Sequence, residues 1–450
     1  MAAVDFAKYK RIVQYFWDPE PTNDAASRSP VWCLGKEYKI SPKPPAADAA
    51  PPSLPDLNSA SAVSGRPAHP ATPPDSTASS VGSAVYDDEE GGWPSPFLDD
   101  FESKIWLTYR SQFPTIPKSQ DPRALSAMSL SVRLRSQLVE SMGFTSDTGW
   151  GCMIRSGQSL LANALVTLRM GRGQMFAADI GFLRLTVRTE WRRGSASREE
   201  RKIISLFADD PKAPYSIHKF VEHGAAACGK HPGEWFGPSA TARCIQALTN
   251  GHKSSELRVY LTGDGLEVYE DSFMNIARPD GKEFIPTLIL VGTRLGVDKI
   301  TPVYWEALKS SLQTPQSIGI AGGQPSSSHY FIGVQGQYFF YLDPHQTRPA
   351  LPLPDDVENY SPEDIDSCHT RRLRRVHVKE MDPSMLIAFL IRDENDWKQW
   401  RREVQEVQGK AVIHVADKEP TQQGLGTERE GAIDEVETFD DDDDDTILNA

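Results

Sequence analysis

The stretch that decides the fold reads Asp147-Thr-Gly-Trp-Gly-Cys152-Met-Ile-Arg-Ser-Gly-Gln158. It leads into residues 152–170, in which leucine and alanine recur on one stripe at the spacing of an α-helix, and Gly171 follows as a glycine stop. We therefore predict a long helix that begins at Cys152. The backbone donors and the positive end of the helix dipole favour a thiolate there, so they lower the pKa of the Cys152 thiol.

Two glycines flank this cysteine closely. Gly149 and Gly151 carry no side chains, so a substrate backbone can approach the sulfur of Cys152. The setting favours a catalytic nucleophile, with a buried structural cysteine as a nearly equal alternative. The cysteines that lack this setting are Cys33, Cys228, Cys244 and Cys368.

A cysteine nucleophile needs a base within hydrogen-bonding reach and a third group that orients the base. The segment Leu342-Asp343-Pro344-His345 offers both, because residues i and i+2 at a strand end point to the same side, about 7 Å apart along the strand. An ordinary turn after a hairpin is the alternative interpretation. His329 is a rival base, ranked below His345 because no carboxylate lies two residues away from it.

The surrounding patterns predict an α+β fold with an antiparallel sheet behind the long helix. Residues 328–334 and 338–342 are aromatic and β-branched runs joined by a short glycine-containing link, which is typical of a hairpin. Residues 284–292 predict a buried strand. Residues 97–113 carry apolar side chains at near-helical spacing and predict a helix, with Tyr109 as a half-buried aromatic residue on it.

Composition predicts one large domain with tails. The 450 residues are 39% hydrophobic and 24% charged and include 10 Trp, enough for a sizeable core. Residues 41–83 hold 10 Pro, 9 Ser and 9 Ala and no aromatic residue, so they bury too little surface to fold. We expect an N-terminal segment 1–40 docked on the body, a disordered insertion 41–92, a protease domain 93–415 and a disordered acidic tail 416–450.

The charge distribution excludes a nucleic-acid partner. Net charge is -14, but residues 428–445 hold 11 acids against one arginine, which leaves the rest of the chain near -4. A body of that charge has no field suited to binding phosphates. The basic cluster Arg371-Arg372-Leu373-Arg374-Arg375 is short and followed by acids, and it predicts a solvated loop or a strand edge.

Cysteine usage and hydropathy indicate a reducing compartment. The 5 cysteines are an odd number without a Cys-x-x-Cys pair, and the chain does not start with a signal peptide. The longest apolar run, 285–291, is far shorter than the ~20 residues that span a bilayer. We predict neither a metal nor a cofactor, because no metal-ligand spacing relates the cysteines and acids to the remaining histidines His218, His223, His231 and His252.

Three segments in this order carry a family resemblance: 147–155, 322–333 and 341–345. They resemble the autophagins, the cysteine proteases of autophagy, and the match to a fungal-type member extends over most of the chain. The resemblance implies a papain-like fold with a small extra subdomain. The catalytic set that it implies is Cys152, Asp343 and His345.

The same resemblance assigns further site residues. It implies that Tyr109 lies near the cysteine and helps to stabilise the tetrahedral oxyanion. Trp235 and the loop containing Gly322, Gly323 and Pro325 match positions that cover the cleft in the family and lift when substrate enters. A Gly-Gly-x-Pro loop combines flexibility with a stiff end, as a lid requires.

The substrate that the resemblance implies is the ubiquitin-like autophagy modifier, cut after its C-terminal glycine and later released from phosphatidylethanolamine. A cleft roofed by Trp235 agrees with this, since it would admit only a narrow backbone. We expect a cytoplasmic enzyme, recruited to the site of autophagosome assembly, with a nuclear pool as a further option. Contact with autophagic membranes would be transient and made through the lipidated substrate.

Two features leave room for other interpretations. The acidic run 440–445 leads into Thr446-Ile447-Leu448 without the aromatic residue that family members use to dock the modifier by adding a strand, whereas Tyr9-Lys-Arg-Ile12 fits that loose pattern near the N-terminus. Other functions that fit the pattern are a thiol hydrolase acting on ubiquitin or a small amide, and a protein that binds the modifier without cutting it. The intact catalytic set argues against the last.

Overall fold

The structure is a computed structural model of the chain. It describes residues 20–23, 29–40, 91–138, 142–171, 197–263, 266–323 and 327–420. The predicted insertion and the predicted acidic tail fall largely outside these ranges, and both short docking-motif candidates, 9–12 and 445–448, fall entirely outside them.

The α-helices of the described ranges are numbered in chain order. They are α1 Ser95–Glu102, α2 Arg123–Ser126, α3 Leu130–Leu138, α4 Cys152–Met170, α5 Arg198–Ser205, α6 Ile217–Ala227, α7 Pro238–Gly251, α8 Glu270–Ala277, α9 Trp305–Gln313, α10 Pro362–Asp366 and α11 Glu394–Gln405. Within the described part of the chain, no helix is long and apolar enough to cross a membrane.

The strands are numbered in the same way. They are β1 Val31–Cys33, β2 Lys36–Tyr38, β3 Arg110–Ile116, β4 Phe144–Ser146, β5 Arg258–Leu261, β6 Glu267–Tyr269, β7 Thr287–Arg294, β8 Ser317–Gly322, β9 His329–Gln335, β10 Tyr338–Leu342, β11 Arg348–Pro349, β12 Arg375–His377, β13 Ser384–Ile391 and β14 His414–Ala416.

One large sheet organises the fold, in the order β12-β10-β9-β8-β13-β7-β5, with β1 and β2 joined to it through β9. Its pairs are antiparallel except for β5 with β7, which run parallel at one edge. The predicted α+β class with a central antiparallel sheet is therefore confirmed, and the edge strand β5 is an exception to it. Smaller sheets form from β11-β3-β4 and from β14-β6.

The sheet is covered on both faces, and β7 shows this most clearly. Leu288 and Leu290 belong to one buried hydrophobic cluster, while Ile289 and Val291 belong to the other. Successive strand residues point to opposite faces, so a strand buried on both faces must be apolar throughout. Helix α4 packs against β8 and β9 on the face that carries the first cluster.

Helix α4 begins at Cys152 and ends at Met170, as predicted. Gly171 follows with φ 73°, a left-handed backbone angle that glycine adopts without strain. The helix is buried from Cys152 to Val166, so it lies in the middle of the molecule and not on its surface. The hairpin is confirmed as β9 and β10, and the buried strand is confirmed as β7.

The helix predicted over residues 97–113 is wrong beyond its first part. Helix α1 ends at Glu102, and β3 begins at Arg110. Between them the backbone is bound to helix α4: Asn163 Oδ1 accepts from the N–H of Ile105 at 3.0 Å, and Ser159 Oγ accepts from the N–H of Leu107 at 2.9 Å. These tertiary hydrogen bonds override the local helical spacing.

Candidate active site

Cys152 is the first residue of α4 and is fully buried. The turn before it is held by Asp147, whose backbone carbonyl accepts from the N–H groups of Trp150 at 3.1 Å and Gly151 at 2.8 Å. A Cβ on Gly151 would lie 2.2 Å from Asp147 Oδ2, so only glycine fits directly before the cysteine. The motif thus fixes where the sulfur sits.

Asp343 and His345 follow the end of β10 and meet through their side chains. Nδ1 of His345 donates to Oδ1 of Asp343 at 2.5 Å, and the backbone N–H of His345 donates to the same oxygen at 3.0 Å. Burial alone would raise the pKa of Asp343, but the hydrogen bond from His345 and the charges of His329 and His345 hold that pKa well below its usual range. The carboxylate therefore stays ionised and orients the imidazole.

The structure brings His345 to Cys152, although the two are far apart in sequence. Burial opposes a charge on His345, yet its hydrogen bond to Asp343 and the adjacent thiol of Cys152 raise its pKa to about 10. Burial likewise raises the pKa of the Cys152 thiol, but the hydrogen bond and charge of His345, then the backbone N–H of Ser328 and the hydroxyl of Tyr109, lower it below its ordinary value. The pair favours a thiolate beside an imidazolium.

Tyr109 lies in the extended segment before β3, and it is 3% exposed. Its backbone N–H donates to the carbonyl of Pro344 at 2.8 Å, and its carbonyl accepts from the N–H of Arg348 at 2.9 Å. Its ring stands edge-on to the His345 ring, with 5.4 Å between centroids. Burial, followed by its contact with Cys152, raises the pKa of the phenol, which remains a hydrogen-bond donor. The predicted half-buried helical tyrosine is thus wrong in both respects.

His329, the rival base, approaches the same carboxylate as His345 but from a greater distance. Its Nε2 lies 3.9 Å from Asp343 Oδ1, and its ring contacts the ring of Tyr341 with 4.5 Å between centroids. Burial lowers the pKa of His329 to about 4, against the opposing pull of Asp343. The causes of the lowered Cys152 pKa include His345 and not His329, and the ranking of His345 above His329 stays a prediction.

Three side chains of the site, those of His329, Asp343 and His345, are of the types that bind metal ions. In the described part of the chain, the group whose ligand atoms lie within 4.8 Å of one another is His329, Asp343 and His345. A metal would have to break the bond between Asp343 Oδ1 and His345 Nδ1 to use both groups. The donor set therefore fits an orienting hydrogen bond better than a resident ion, and the expectation of no metal stays a prediction.

A buried ion network lies under the cysteine and was not predicted from the sequence. Nε of Arg155 donates to Asp147 Oδ2 at 2.8 Å, and a terminal nitrogen of Arg155 lies 2.8 Å from Asp209 Oδ1. Asp147 Oδ1 accepts from the backbone N–H of Arg110 at 2.6 Å. The network ties the first turn of α4 to β3. The sequence feature that could have indicated this network is Arg155, which lies inside an otherwise buried helix. A buried arginine requires an acidic partner.

The expected lid residues are described in part. Gly322 ends β8 opposite His329, and Gly323 has φ 143°, where a side chain would be strained. Pro325 lies outside the described residues. Trp235 is half-buried beside α7, and its indole nitrogen has no hydrogen-bond acceptor within the described ranges. Ser328 follows the loop, and its backbone N–H contributes to the lowered pKa of Cys152, which relates this loop to the sulfur.

Together with the helix and sheet that carry it, this arrangement of thiol, imidazole and carboxylate is that of a papain-like cysteine protease. The family profile of the Peptidase C54 catalytic domain matches residues 94–403. The chain belongs to the Peptidase C54 family of cysteine proteases, the autophagins, and its resemblance to them is confirmed.

Named relatives extend this similarity over the whole chain. A protein of Sclerotinia sclerotiorum named "Probable cysteine protease atg4" is 72% identical over 457 residues, covering 100% of both chains. The protein of the same name from Botryotinia fuckeliana is also 72% identical with 100% coverage of both. "Cysteine protease ATG4" of Gibberella zeae is 55% identical, covering 100% of this chain and 99% of its own.

Proposed function

We propose that this cysteine protease of autophagy cleaves a ubiquitin-like modifier after its C-terminal glycine, both to activate the precursor and to release the modifier from phosphatidylethanolamine. The observation that carries the proposal is the contact of Cys152 with His345, which Asp343 orients. The relatives named cysteine protease ATG4 support it.

The proposed chemistry uses the charges at the site. The Cys152 thiolate attacks the glycine carbonyl carbon, and the developing oxyanion accepts hydrogen bonds from Tyr109 and a backbone N–H. His345 gives its proton to the leaving amine as the carbon–nitrogen bond breaks, which leaves a thioester. His345 then takes a proton from water, whose oxygen attacks the thioester and releases the glycine carboxylate and Cys152. The same steps serve a peptide bond and a lipid amide.

Specificity for glycine is proposed to come from a narrow cleft. Trp235, Gly322 and Gly323 would cover the substrate, with Pro325 as the stiff end of the loop. The indole nitrogen of Trp235, which has no acceptor among the described residues, supports this, because a buried donor gains when a substrate carbonyl reaches it. A residue with a side chain would have to displace this cover, whereas glycine would not.

The proposed setting follows from the substrate. The modifier is the protein partner, as free precursor and as lipid conjugate, and membrane contact is made through the conjugate. We place the enzyme in the cytoplasm, with recruitment to autophagosome assembly sites and a nuclear pool as further proposals. The division into segments 1–40, 41–92, 93–415 and 416–450 is retained as a proposal, and nucleic acid is not expected as a partner.

The test uses the modifier with extra residues after its glycine. The full chain is expected to release the extension, and Cys152→Ser is expected to bind the modifier without cutting it. Cys228→Ser is the matched control, because Cys228 lies at the end of α6, where its Sγ contacts the carbonyl of Ala240 at 3.9 Å. Cleavage that persists in Cys152→Ser would refute the proposal.

A panel of ubiquitin-like proteins with equivalent extensions separates the neighbouring functions. Release from the autophagy modifier alone supports the proposal. Equal or faster release from ubiquitin would assign a general thiol hydrolase instead. Tight binding of the modifier by the unaltered chain without any release would assign a binding protein.

A further inference from the structure

A cavity of about 240 Å³ opens beside the segment that carries Asp343 and His345. A single water needs about 10–15 Å³, so the cavity admits a group of several heavy atoms. Its lining residues include Trp106, Asp343, Gln346, Thr370, Arg372 and Arg374. No step of the proposed chemistry uses this space.

Two of the four arginines in the basic cluster of residues 371–375 line the cavity, and the other two contact groups elsewhere. Arg371 turns away and pairs with Asp99 at 2.9 Å and Glu102 at 3.0 Å on α1. Arg375 also turns away and lies over the ring of Tyr338, 4.6 Å from its centroid. The two arginines between them, 372 and 374, line the cavity. The cluster lies, as its sequence predicts, in a loop that leads into the edge strand β12, and two of its arginines also line this cavity.

The lining is suited to an anion. It includes two arginines, Arg372 and Arg374, and the carboxylate of Asp343, which is already bound to His345. Arg374 lies 3.6 Å from Asp343 Oδ2, and 18% of its side chain is exposed. Guanidinium groups bind phosphate oxygens in pairs and hold them more strongly than neutral donors do. Thr370 and Gln346 add a hydroxyl and an amide that can donate.

The cavity is lined by sequence neighbours of His345, the residue proposed to protonate the leaving group. His345 is the proposed acid for the departing amine, and Asp343 and Gln346 on either side of it in sequence line the cavity. In a conjugate with phosphatidylethanolamine, the departing nitrogen is four bonds from phosphorus, roughly 5 Å with bonds near 1.5 Å. A neutral leaving peptide carries no anion at that distance.

We propose that this cavity binds the phosphodiester of the lipid headgroup when the modifier is released from phosphatidylethanolamine. The inference rests on the proposed function, because it names a binding site for one of the two proposed leaving groups. Arg372 and Arg374 hold the phosphodiester oxygens, and this places the departing nitrogen beside His345. The cavity gives the enzyme a means of distinguishing its lipid conjugate from its precursor.

Three soluble substrates test this site without a membrane. Each is the modifier joined through its terminal glycine: to ethanolamine, to glycerophosphoethanolamine, or to a neutral peptide. We expect kcat/KM to be roughly tenfold higher for the glycerophosphoethanolamine amide than for the ethanolamine amide, which is about 1.4 kcal/mol. Arg372→Gln is expected to remove most of that preference and to leave the other two substrates unchanged.

Arg402→Gln is the matched control, since Arg402 makes the same charge change on the exposed face of α11 and is expected to alter no rate. Arg374 is left intact because it lies close to Asp343. Equal rates on the two amides, or an equal loss on all three substrates in Arg372→Gln, would overturn the site. Failure of the unaltered chain on all three would instead overturn the proposed function, and the site with it.

A fourth substrate separates the phosphodiester from an acidic peptide. It carries aspartate directly after the glycine. If Arg372→Gln slows this substrate as much as the glycerophosphoethanolamine amide, the cavity recognises acidic leaving peptides and the assignment to the lipid headgroup is wrong. If the variant slows the phosphodiester alone, the assignment stands.

Discussion

One carboxylate oxygen, Oδ1 of Asp343, lies 2.5 Å from Nδ1 of His345 and 3.9 Å from Nε2 of His329. The two imidazoles nevertheless differ in protonation. Burial is outweighed at His345 by its hydrogen bonds, which raise its pKa to about 10, whereas burial prevails at His329 and lowers its pKa to about 4. Near neutral pH the carboxylate thus faces one charged ring and one neutral ring.

The pH dependence of kcat/KM should follow the coupled titration of Cys152 and His345. We expect the acid limb to lie below the ordinary thiol pKa of about 8.5, because the site lowers the pKa of Cys152. The alkaline limb should reflect deprotonation of His345, whose pKa is raised to about 10. Asp343→Asn removes a cause of that rise, so the alkaline limb should move to lower pH. An alkaline limb that does not move in this variant would contradict the role given to Asp343.

Replacing the two histidines separately should distinguish the base from its neighbour. We expect His345→Gln to lower kcat by about 10³ or more, as removal of a general base does. His329→Gln should cost less than about tenfold, because a ring with a pKa of about 4 is neutral and contacts the carboxylate only at 3.9 Å. Single-turnover cleavage of the extended modifier measures both. A larger loss in His329→Gln than in His345→Gln would reverse the assignment.

Tyr109→Phe should lower kcat by about 10² and leave KM nearly unchanged, as loss of one oxyanion donor does. The nearby hydroxyl helps to lower the pKa of Cys152, so the acid limb of kcat/KM should shift to higher pH in this variant. Tyr338→Phe is the matched control, since Tyr338 is 41% exposed at the start of β10, whereas Asp343 and His345 follow the end of that strand. A rise in KM alone would show that Tyr109 binds substrate without acting on the oxyanion.

The buried ion network should contribute strongly to stability. Arg155→Ala leaves the carboxylates of Asp147 and Asp209 buried without their cation, and we expect a loss of about 3–5 kcal/mol in the free energy of unfolding. Arg123→Ala breaks a pair with Asp121 of the same 2.8 Å length, but the Arg123 side chain is 85% exposed, so little change is expected. Denaturant unfolding compares the two. Equal losses would show that burial does not set the strength of these pairs.

Much of the fold could be predicted because some segments carry their own structural signal. Helix α4 runs from an apolar stripe to a glycine stop, and the β9–β10 hairpin joins two β-rich runs across a short link. The segment before β3 was different. Its residues have helical spacing but an extended backbone, because Asn163 and Ser159 on α4 bind it. Local periodicity cannot report a partner that lies far along the chain.

The candidate site likewise contains some residues that the sequence could indicate and others that only the folded structure reveals. Cys152, Asp343 and His345 could be proposed from their local setting, since a helix start favours a thiolate and an i, i+2 pair lets a carboxylate orient an imidazole. The buried network of Arg155 and the cavity lined by Arg372 depend on residues that only folding brings together.

The sequence by itself determined the residue types, the helix that begins at Cys152 and the pairing of Asp343 with His345, because each depends on neighbours a few positions away. Only the tertiary structure decided that His345 meets Cys152, that His329 is the buried neutral ring, and that two arginines of the basic cluster face a cavity beside Asp343. The physical reason is that protonation and charge recognition depend on burial and on contacts between distant segments, which local patterns do not encode.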